Sequence, residues 1–396
     1  MNGSIGVAIG SDSVTATAVG DHRAPVSVPA TLAFTPTGAR LINTPTGWAG
    51  SAGTGAVYQH FLDRVGDPVP VIGSTGEARL GADLVATTIA SIVGNGPDQI
   101  TIARPAHWSA YQRGALRAAL DRVELPAQGI SLVSAPLAAL VGMDLPRPEA
   151  VIVAEIDASA TEVSLVTDFA KRAPRVLETI RVDSMGVDAL DRRLACHVLA
   201  QLNEPVDRPA RAKLLARCRI ARAELANQTA TTVPVQLGHG GRQLVRVVRA
   251  EFESLSAEPV NSLAAAIARA ITRAREHATS VDAVVLVGAG ARIPLLIETL
   301  TTTTRARLIV PPDPTRAVAR GAAQLAARAH RALPTRPDRT RPPAQPATPR
   351  RIGSLDGHAQ PEARNRRPAN GPAVRQPQPT PLTRIAAAFC RLTTAQ

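Results

Sequence analysis

The chain has 396 residues, enough for two or three domains, and 45% of them are hydrophobic, so a sizeable core is available. The net charge of +13 is uneven, because residues 332–396 hold eleven arginines against only three acids. That distribution argues against a chain built as a whole for nucleic acid. Three isolated cysteines without CxxC spacing argue against a disulfide or metal framework, and no apolar run reaches the length of a membrane span. These features favour a cytoplasmic protein with no transmembrane segment.

The first half of the chain predicts strands and helices in alternation. Two apolar runs, Ile5–Ile9 and Val14–Val19, flank the turn Gly10–Ser13 and predict a β-hairpin, which is either a phosphate-contacting turn or an ordinary connection. The further predicted elements are a hairpin at 28–43, a loop at 44–55, a short helix at 56–64, a helix at 79–93, a strand at 99–103, a helix at 110–123 capped by Ser109, a strand at 130–133 and a small helix after Pro136.

The second half repeats this alternation. The predicted elements are strands at 151–156, 161–166 and 175–183, helices at 187–202 and 209–228, strands at 231–235 and 243–248 joined by the turn 238–241, and a helix at 259–276 capped by Ser256. Two runs of strands followed by helices suggest two similar α/β halves.

The stretch Val284–Pro294 reads VVLVGAGARIP, a buried strand that runs into a glycine turn and a helix start. Glycines permit positive φ and a close approach of the backbone to a ligand, and N–H groups at a helix start favour an anion. On the turn alone, phosphate binding and a plain strand-to-helix connection are equally good interpretations.

Five segments carry a combined signal that is more specific than any one of them. In chain order they are VPATLAFTPTGARLIN (28–43), ARPAHWSAYQRGALRAAL (103–120), SAPLAAL (134–140), VDAVVLVGAGARIPLLIETL (281–300) and DPTRAVARGAAQLAAR (313–328). Together they resemble the ATPase part of the Hsp70 family, a branch of the actin-like ATPases. The resemblance implies an α/β, actin-like fold of two lobes, each a mixed sheet with helices, around a nucleotide cleft. It places the nucleotide-binding domain at 1–330, with lobes of about 1–150 and 151–330.

The resemblance also implies the ligand and its contacts. ATP or ADP is expected between the turn Gly10–Ser13 and the turn Gly288–Arg292. The expected binding residues are Gly10, Ser11, Asp12, Gly186, Arg222 near the base, Gly288, Ala289, Gly290 and Arg292.

The chain departs from the family where the chemistry of hydrolysis is expected. Ala8 and Ala135 stand where the family has acids, and the family's lysine is absent, with Arg64 the nearest cation. An alignment to the family without a gap places Glu155 at the position of the family's next acid. An alignment shifted by two residues places Asp157 there instead. Two further departures are Ala160 at a threonine position and Thr315 at an aspartate position.

These departures leave no residue assigned as catalytic or as a metal ligand. Phosphoryl transfer depends on positioning and on neutralisation of charge by metal and cations, so weak Mg²⁺ binding and weak or absent hydrolysis are expected. The resemblance therefore implies an Hsp70-like, chaperone-type protein that binds ATP. The alternative is a pseudo-ATPase scaffold that acts through an unidentified protein partner and its basic tail.

From about residue 331 proline and arginine dominate, and the tail 331–396 is predicted to be disordered. Residues 382–393 are either a short amphipathic helix or a frayed terminus. Nucleic-acid association through the tail is disfavoured, because Phe389 is its only aromatic residue for base stacking. Pro-rich sequence follows the ATPase-like part where the family has a peptide-binding domain, so peptide clamping of the usual kind is not expected.

Overall fold

The structure is a computed structural model. It describes residues 3–19, 26–35, 38–42, 55–94, 97–123, 129–141, 148–169, 173–202, 206–237 and 240–332, with the single residues 125, 143 and 145. All of them belong to one compact unit, Met1–Thr335. Residues 331 and 332 of the predicted disordered tail belong to helix α8. The rest of that tail, the terminal helix at 382–393 and most of the loop at 44–55 lie outside the described residues.

The described part of the chain alternates strands and helices. Its strands are β1 (Gly3–Ile9), β2 (Ser13–Ala18), β3 (Val26–Pro29), β4 (Thr31–Thr35), β5 (Gly38–Leu41), β6 (Val57–Gln59), β7 (Val71–Ile72), β8 (Ala78–Arg79), β9 (Pro97–Arg104), β10 (Gly129–Ser134), β11 (Ala150–Ile156), β12 (Thr161–Thr167), β13 (Arg175–Val182), β14 (Ala230–Gln236), β15 (Arg242–Val248), β16 (Val281–Val287) and β17 (Arg307–Ile309). Its helices are α1 (Gly81–Val93), α2 (Ala110–Arg122), α3 (Ala135–Leu140), α4 (Val187–Ala200), α5 (Arg208–Leu225), α6 (Arg249–Glu276), α7 (Pro294–Thr303) and α8 (Ala317–Ala332). None of these helices is long and apolar enough to cross a membrane.

Two five-stranded sheets have the same strand arrangement. The first runs β3-β2-β1-β9-β10 and the second runs β13-β12-β11-β16-β17. In each sheet a three-stranded antiparallel meander continues into two parallel strands, with β1 parallel to β9 and β11 parallel to β16. The predicted α/β class with mixed sheets and helices is confirmed, and the repeat suspected from the sequence appears as a shared topology.

Small aliphatic residues fill the interior, since aromatic residues are only 2% of the chain. Alanine lets helices approach strands and one another closely. At Gly6 of β1 an added Cβ would lie 2.1 Å from the backbone nitrogen of Ala323 in α8. At Gly321 of α8 it would lie 1.7 Å from the carbonyl oxygen of Ala138 in α3. Helix α8 thus packs directly on the first sheet and on helix α3, because the two contacts leave no room for side chains at these glycines.

Two predicted elements are wrong. The stretch 56–64 is not a helix: it holds strand β6, which pairs with β4, and a short 3₁₀ helix at Leu62–Arg64. The alternative pairing with a neighbouring strand outweighs its weak helical pattern.

The helix predicted at 259–276 begins ten residues earlier, and Ser256 is not its cap. The amide of Val248 donates to the Glu251 carboxylate at 2.7 Å, which satisfies a free N–H at the true start. Pro259 lies inside α6 and removes the amide that would bond to the carbonyl of Leu255. Arg193 supplies the missing donor, with Nη1 3.2 Å from that oxygen, so the helix continues through the proline.

Candidate functional site

A cavity of about 280 Å³ lies between the two sheets. It is lined by the β1–β2 turn, the β11–β12 turn, the start of α4, one face of α5, the turn after β16 and residues 314–318. Its lining residues include Ala8, Gly10, Asp12, Ser13, Glu155, Asp157, Asp188, Arg219, Arg222, Gly288, Ala289 and Thr315. The volume lies just below the usual range for small-molecule sites, about 300–1,000 Å³.

Two corresponding hairpin turns meet at one end of this cavity. In the first, the amide of Gly10 donates to the carbonyl of Ser13 at 2.9 Å, and in the second the amide of Asp157 donates to the carbonyl of Ala160 at 3.1 Å. The turns are also joined to each other, because the Ser159 amide donates to the Ser11 hydroxyl at 3.0 Å.

The Asp157 carboxylate lies between the two turns. The Ser11 amide donates to its Oδ2 atom at 2.6 Å. Burial, followed by the negative charge of Asp12, raises its pKa to about 6, although the hydrogen bond from Ser11 acts in the opposite direction. An added Cβ at Gly10 would lie 2.9 Å from Oδ2, so glycine leaves the space that the carboxylate occupies.

Helices α4 and α5 face the cavity with matched charges. Arg222 Nε donates to Asp191 Oδ1 at 2.7 Å, and the two side chains are only 11% and 2% exposed. Arg219 Nη2 lies 2.9 Å from Asp188 Oδ1. Burial raises the pKa of Asp191 despite the hydrogen bond and charge of Arg222. Both arginines are therefore held by acids of the same chain rather than left free for a ligand.

The glycine turn after β16 is built for close packing. Gly288 has φ +89°, and a Cβ there would lie 2.4 Å from the carbonyl oxygen of Ile156. Its amide donates to the carbonyl of Pro314 at 2.9 Å, and the amide of Gly290 donates to that of Ile156 at 3.2 Å. Two amides that the sequence offered to an anion are thus bonded within the chain.

The structure brings some of the nine sequence-predicted site residues together and leaves others away from the cavity. Those on its wall are Gly10, Asp12, Arg222, Gly288 and Ala289. Ser11 lines a smaller neighbouring cavity of about 20 Å³.

Three of the nine line neither cavity. Gly186 lies beneath the β11–β12 turn, where a Cβ would be 2.4 Å from the carbonyl of Ser159. Gly290 packs on the side chain of Ile156. Arg292 donates from Nη2 to the carbonyl of Pro312.

The position of the acid after β11 was left open between two residues. Glu155 lies within the strand, paired with Glu162, whereas Asp157 is the first residue of the turn. Burial, followed by the charges of Asp157 and Glu162, raises the pKa of Glu155 well above its ordinary value. Asp157 is the acid that contacts the first turn.

Sequence reasoning missed a second contact between the sheets. Glu162 on β12 accepts from the amide of Ala106 at 2.9 Å and bonds to Nδ1 of His107, in the loop after β9. The contact between Ala106 and Glu162 joins residues 56 apart, and no local sequence pattern predicts it.

The ion pairs of α4 and α5 were missed as well, although the sequence holds a signal for them. Asp188 and Asp191 are three residues apart on α4, and Arg219 and Arg222 are three residues apart on α5. Such spacing puts each pair on one helix face.

The described residues do not fit a magnesium ion held by the protein. They contain no group of three histidine, cysteine or acidic side chains arranged to bind a metal. The Asp157 carboxylate faces N–H donors, and the environment of Glu155 favours its neutral form, which is a poor cation ligand.

Mixed sheets of like topology, with helices and a cavity between them, are the architecture of the actin-like ATPases. A family model described as Hsp70 protein matches residues 82–332. Curated relatives include a chaperone protein dnaK of Guillardia theta, 27% identical over 219 residues, or 52% of this chain and 34% of that protein. An HscA homolog of Methylococcus capsulatus is 29% identical over 226 residues, 56% of this chain and 36% of that protein.

A third relative, an HscA homolog of Janthinobacterium sp. (strain Marseille), is 26% identical over 271 residues, 66% of this chain and 43% of that protein. The chain belongs to the Hsp70 family. It spans between a third and a little over two fifths of the length of these relatives.

Proposed function

We propose that this chain is a chaperone-type Hsp70 protein that binds ATP or ADP in the 280 Å³ cavity and hydrolyses ATP slowly or not at all. The observation that carries the proposal is the charge on the cavity wall. Its two cations, Arg219 and Arg222, are both engaged by acids, and its lining contains no lysine.

Hydrolysis is expected to be slow because no described cation is free at the phosphate end. The nearest candidate from the sequence, Arg64, donates to Asp67 Oδ2 at 2.7 Å and to the carbonyl of Val69 at 3.3 Å, and it does not line the cavity. Losing a single cation that stabilises the transition state costs about 10³–10⁵ in rate in comparable enzymes. Mg²⁺ would be bound chiefly through the phosphates of a nucleotide.

Nucleotide binding uses the end of the cavity away from Asp157. Arg222 lies beside the turn at Ala289, whose carbonyl accepts from Nη1 at 3.2 Å. A planar base can stack on a guanidinium that is already fixed in place. Gly288 and Ala289 form the cavity wall beside this guanidinium, and Gly288 lets the turn pack closely on Ile156, whose carbonyl oxygen would lie 2.4 Å from an added Cβ.

Calorimetric titration of the full chain with ATP and ADP, with and without Mg²⁺, tests the proposal. Ala289→Phe places a ring on the exposed cavity wall and is expected to weaken binding at least tenfold. Ala216→Phe, on the exposed face of α5, is the matched control and should leave binding unchanged. A wild-type chain without nucleotide binding, or equal affinities for the two variants, contradicts the proposal.

A pseudo-ATPase scaffold is the second candidate. It is favoured by the bonds from Ser11 to Asp157 and from Ser159 to Ser11, which join the two turns directly through protein groups. A scaffold would keep one conformation with or without ATP. Equal hydrogen-exchange protection of the two turns at saturating ATP and in its absence would support it.

We also propose a division of the domain into lobes of about 1–150 and 151–330, which follows the two sheets. A reducing, cytoplasmic location agrees with the free thiols of Cys196 and Cys218. In the scaffold alternative the chain acts through an unidentified protein partner and through its basic tail.

A further inference from the structure

The two hairpin turns form a cradle for an anion. The Ser11 amide of the first turn donates to Asp157 Oδ2 at 2.6 Å, and the Ser159 amide of the second turn donates to the Ser11 hydroxyl at 3.0 Å. Backbone N–H groups of tight turns are a common protein site for a phosphate. Here the anion that fills the site is a side chain of the same chain.

We propose that the Asp157 carboxylate occupies the phosphate position of the cavity, and that a phosphate-bearing ligand binds there only by displacing it. For nucleotides this rests on the proposed function. It deepens that function by naming the ligand class: the undisturbed cavity accepts a nucleoside, and each added phosphate competes with Asp157.

The space around the cradle makes this competition severe. On the cavity side, Asp12 and Asp188 face Asp157, while Arg219 and Arg222 are paired with Asp188 and Asp191. An incoming phosphate would therefore approach two carboxylates. One is Asp12, and the other is Asp188, whose charge is already paired with Arg219.

On the other side, the small cavity is lined by Glu155, Asp63, Glu162, His107 and Arg181. Glu162 already bonds to His107, and Arg181 Nε donates to Asp183 at 2.7 Å. A displaced carboxylate would have no free cation among these groups. Leaving the cradle therefore costs Asp157 its hydrogen bond from the Ser11 amide, with no replacement among these groups.

The test measures adenosine, ADP and pyrophosphate binding to the full chain by calorimetry at one pH and one salt concentration. Asp157→Asn keeps the shape and removes the charge, whereas Asp157→Glu keeps the charge. Asp183→Asn, the same chemical change at an acid whose side chain is 79% exposed, is the control. Thermal melts of all variants show that each is folded.

Breaking one charge-assisted hydrogen bond network corresponds to roughly 10–100-fold in affinity. We expect Asp157→Asn to tighten ADP and pyrophosphate binding by that factor and to leave adenosine binding unchanged. Asp157→Glu and Asp183→Asn should resemble the wild type.

Equal gains for adenosine and ADP, or no gain for ADP and pyrophosphate, overturn the inference even if nucleotide binding itself stands. If neither adenosine nor ADP binds any variant, the proposed function fails. A gain in pyrophosphate binding by Asp157→Asn would then still support the inference, because the cradle alone binds that probe.

Discussion

Replacing Asp157 with asparagine should stabilise the folded chain at neutral pH. The Asp157 carboxyl has a pKa of about 6 in the folded chain, against 3.8 for an aspartate in the unfolded chain. At about 1.36 kcal/mol for each pKa unit, the charged form costs the fold on the order of 3 kcal/mol. Asparagine mimics the neutral acid and avoids that cost.

The effect has a defined pH dependence. Between about pH 4 and 6 the folded chain binds this proton more tightly than the unfolded chain does, so wild-type stability falls as pH rises through the window and stays low above it. The gain from Asp157→Asn is therefore full at pH 7.5 and vanishes near pH 4. Urea unfolding followed by circular dichroism at pH 7.5, 6 and 4.5 measures it. An asparagine variant that is less stable than wild type at pH 7.5, or a difference that does not change with pH, refutes the reasoning.

Three substitutions test other parts of the fold in the same urea assay. Ser109→Ala removes the side chain that caps α2 and should cost about 1 kcal/mol, with a loss below a few tenths contradicting the cap. Gly288→Ala forces a side chain into φ +89° against a carbonyl oxygen and should cost about 2 kcal/mol or more; an unchanged midpoint would contradict this. Arg193→Met leaves the Leu255 carbonyl without its donor and should cost about 1–2 kcal/mol of stability. Arg192→Met, on the exposed side of α4, is the control and should cost almost nothing. Equal losses would contradict the role of Arg193 as the donor that replaces the amide missing at Pro259.

Local signals predicted much of the fold. The turn Gly10–Ser13 predicted the first hairpin, and Ser109 predicted the start of α2, because both depend on neighbours within a few residues. Apolar runs placed β11 and β12 to within one residue, whereas β16 begins three residues before the predicted stretch at Val284. Pro259 misled the prediction of α6, since its tolerance depends on Arg193, 66 residues away.

The site was harder to predict for the same reason. The contact of Ser11 with Asp157 joins residues 146 apart, and that of Glu162 with Ala106 joins residues 56 apart. Resemblance to the family implied that the turns at Gly10 and Gly288 flank the nucleotide. It could not show that Asp157 would contact the Ser11 amide, because that contact depends on how the two hairpins pack against each other.

Single-turnover hydrolysis of ATP by the full chain with Mg²⁺ tests the central claim most directly. The chain should bind the nucleotide, as calorimetry on the same sample would show, and turn it over far more slowly than a dnaK-type chaperone assayed in parallel. The reason is the cavity wall, where Arg219 and Arg222 are engaged by acids and no lysine is present. A rate equal to that of the dnaK-type chaperone would contradict the account, and its loss in Arg64→Ala would identify the cation that rebuilt the site.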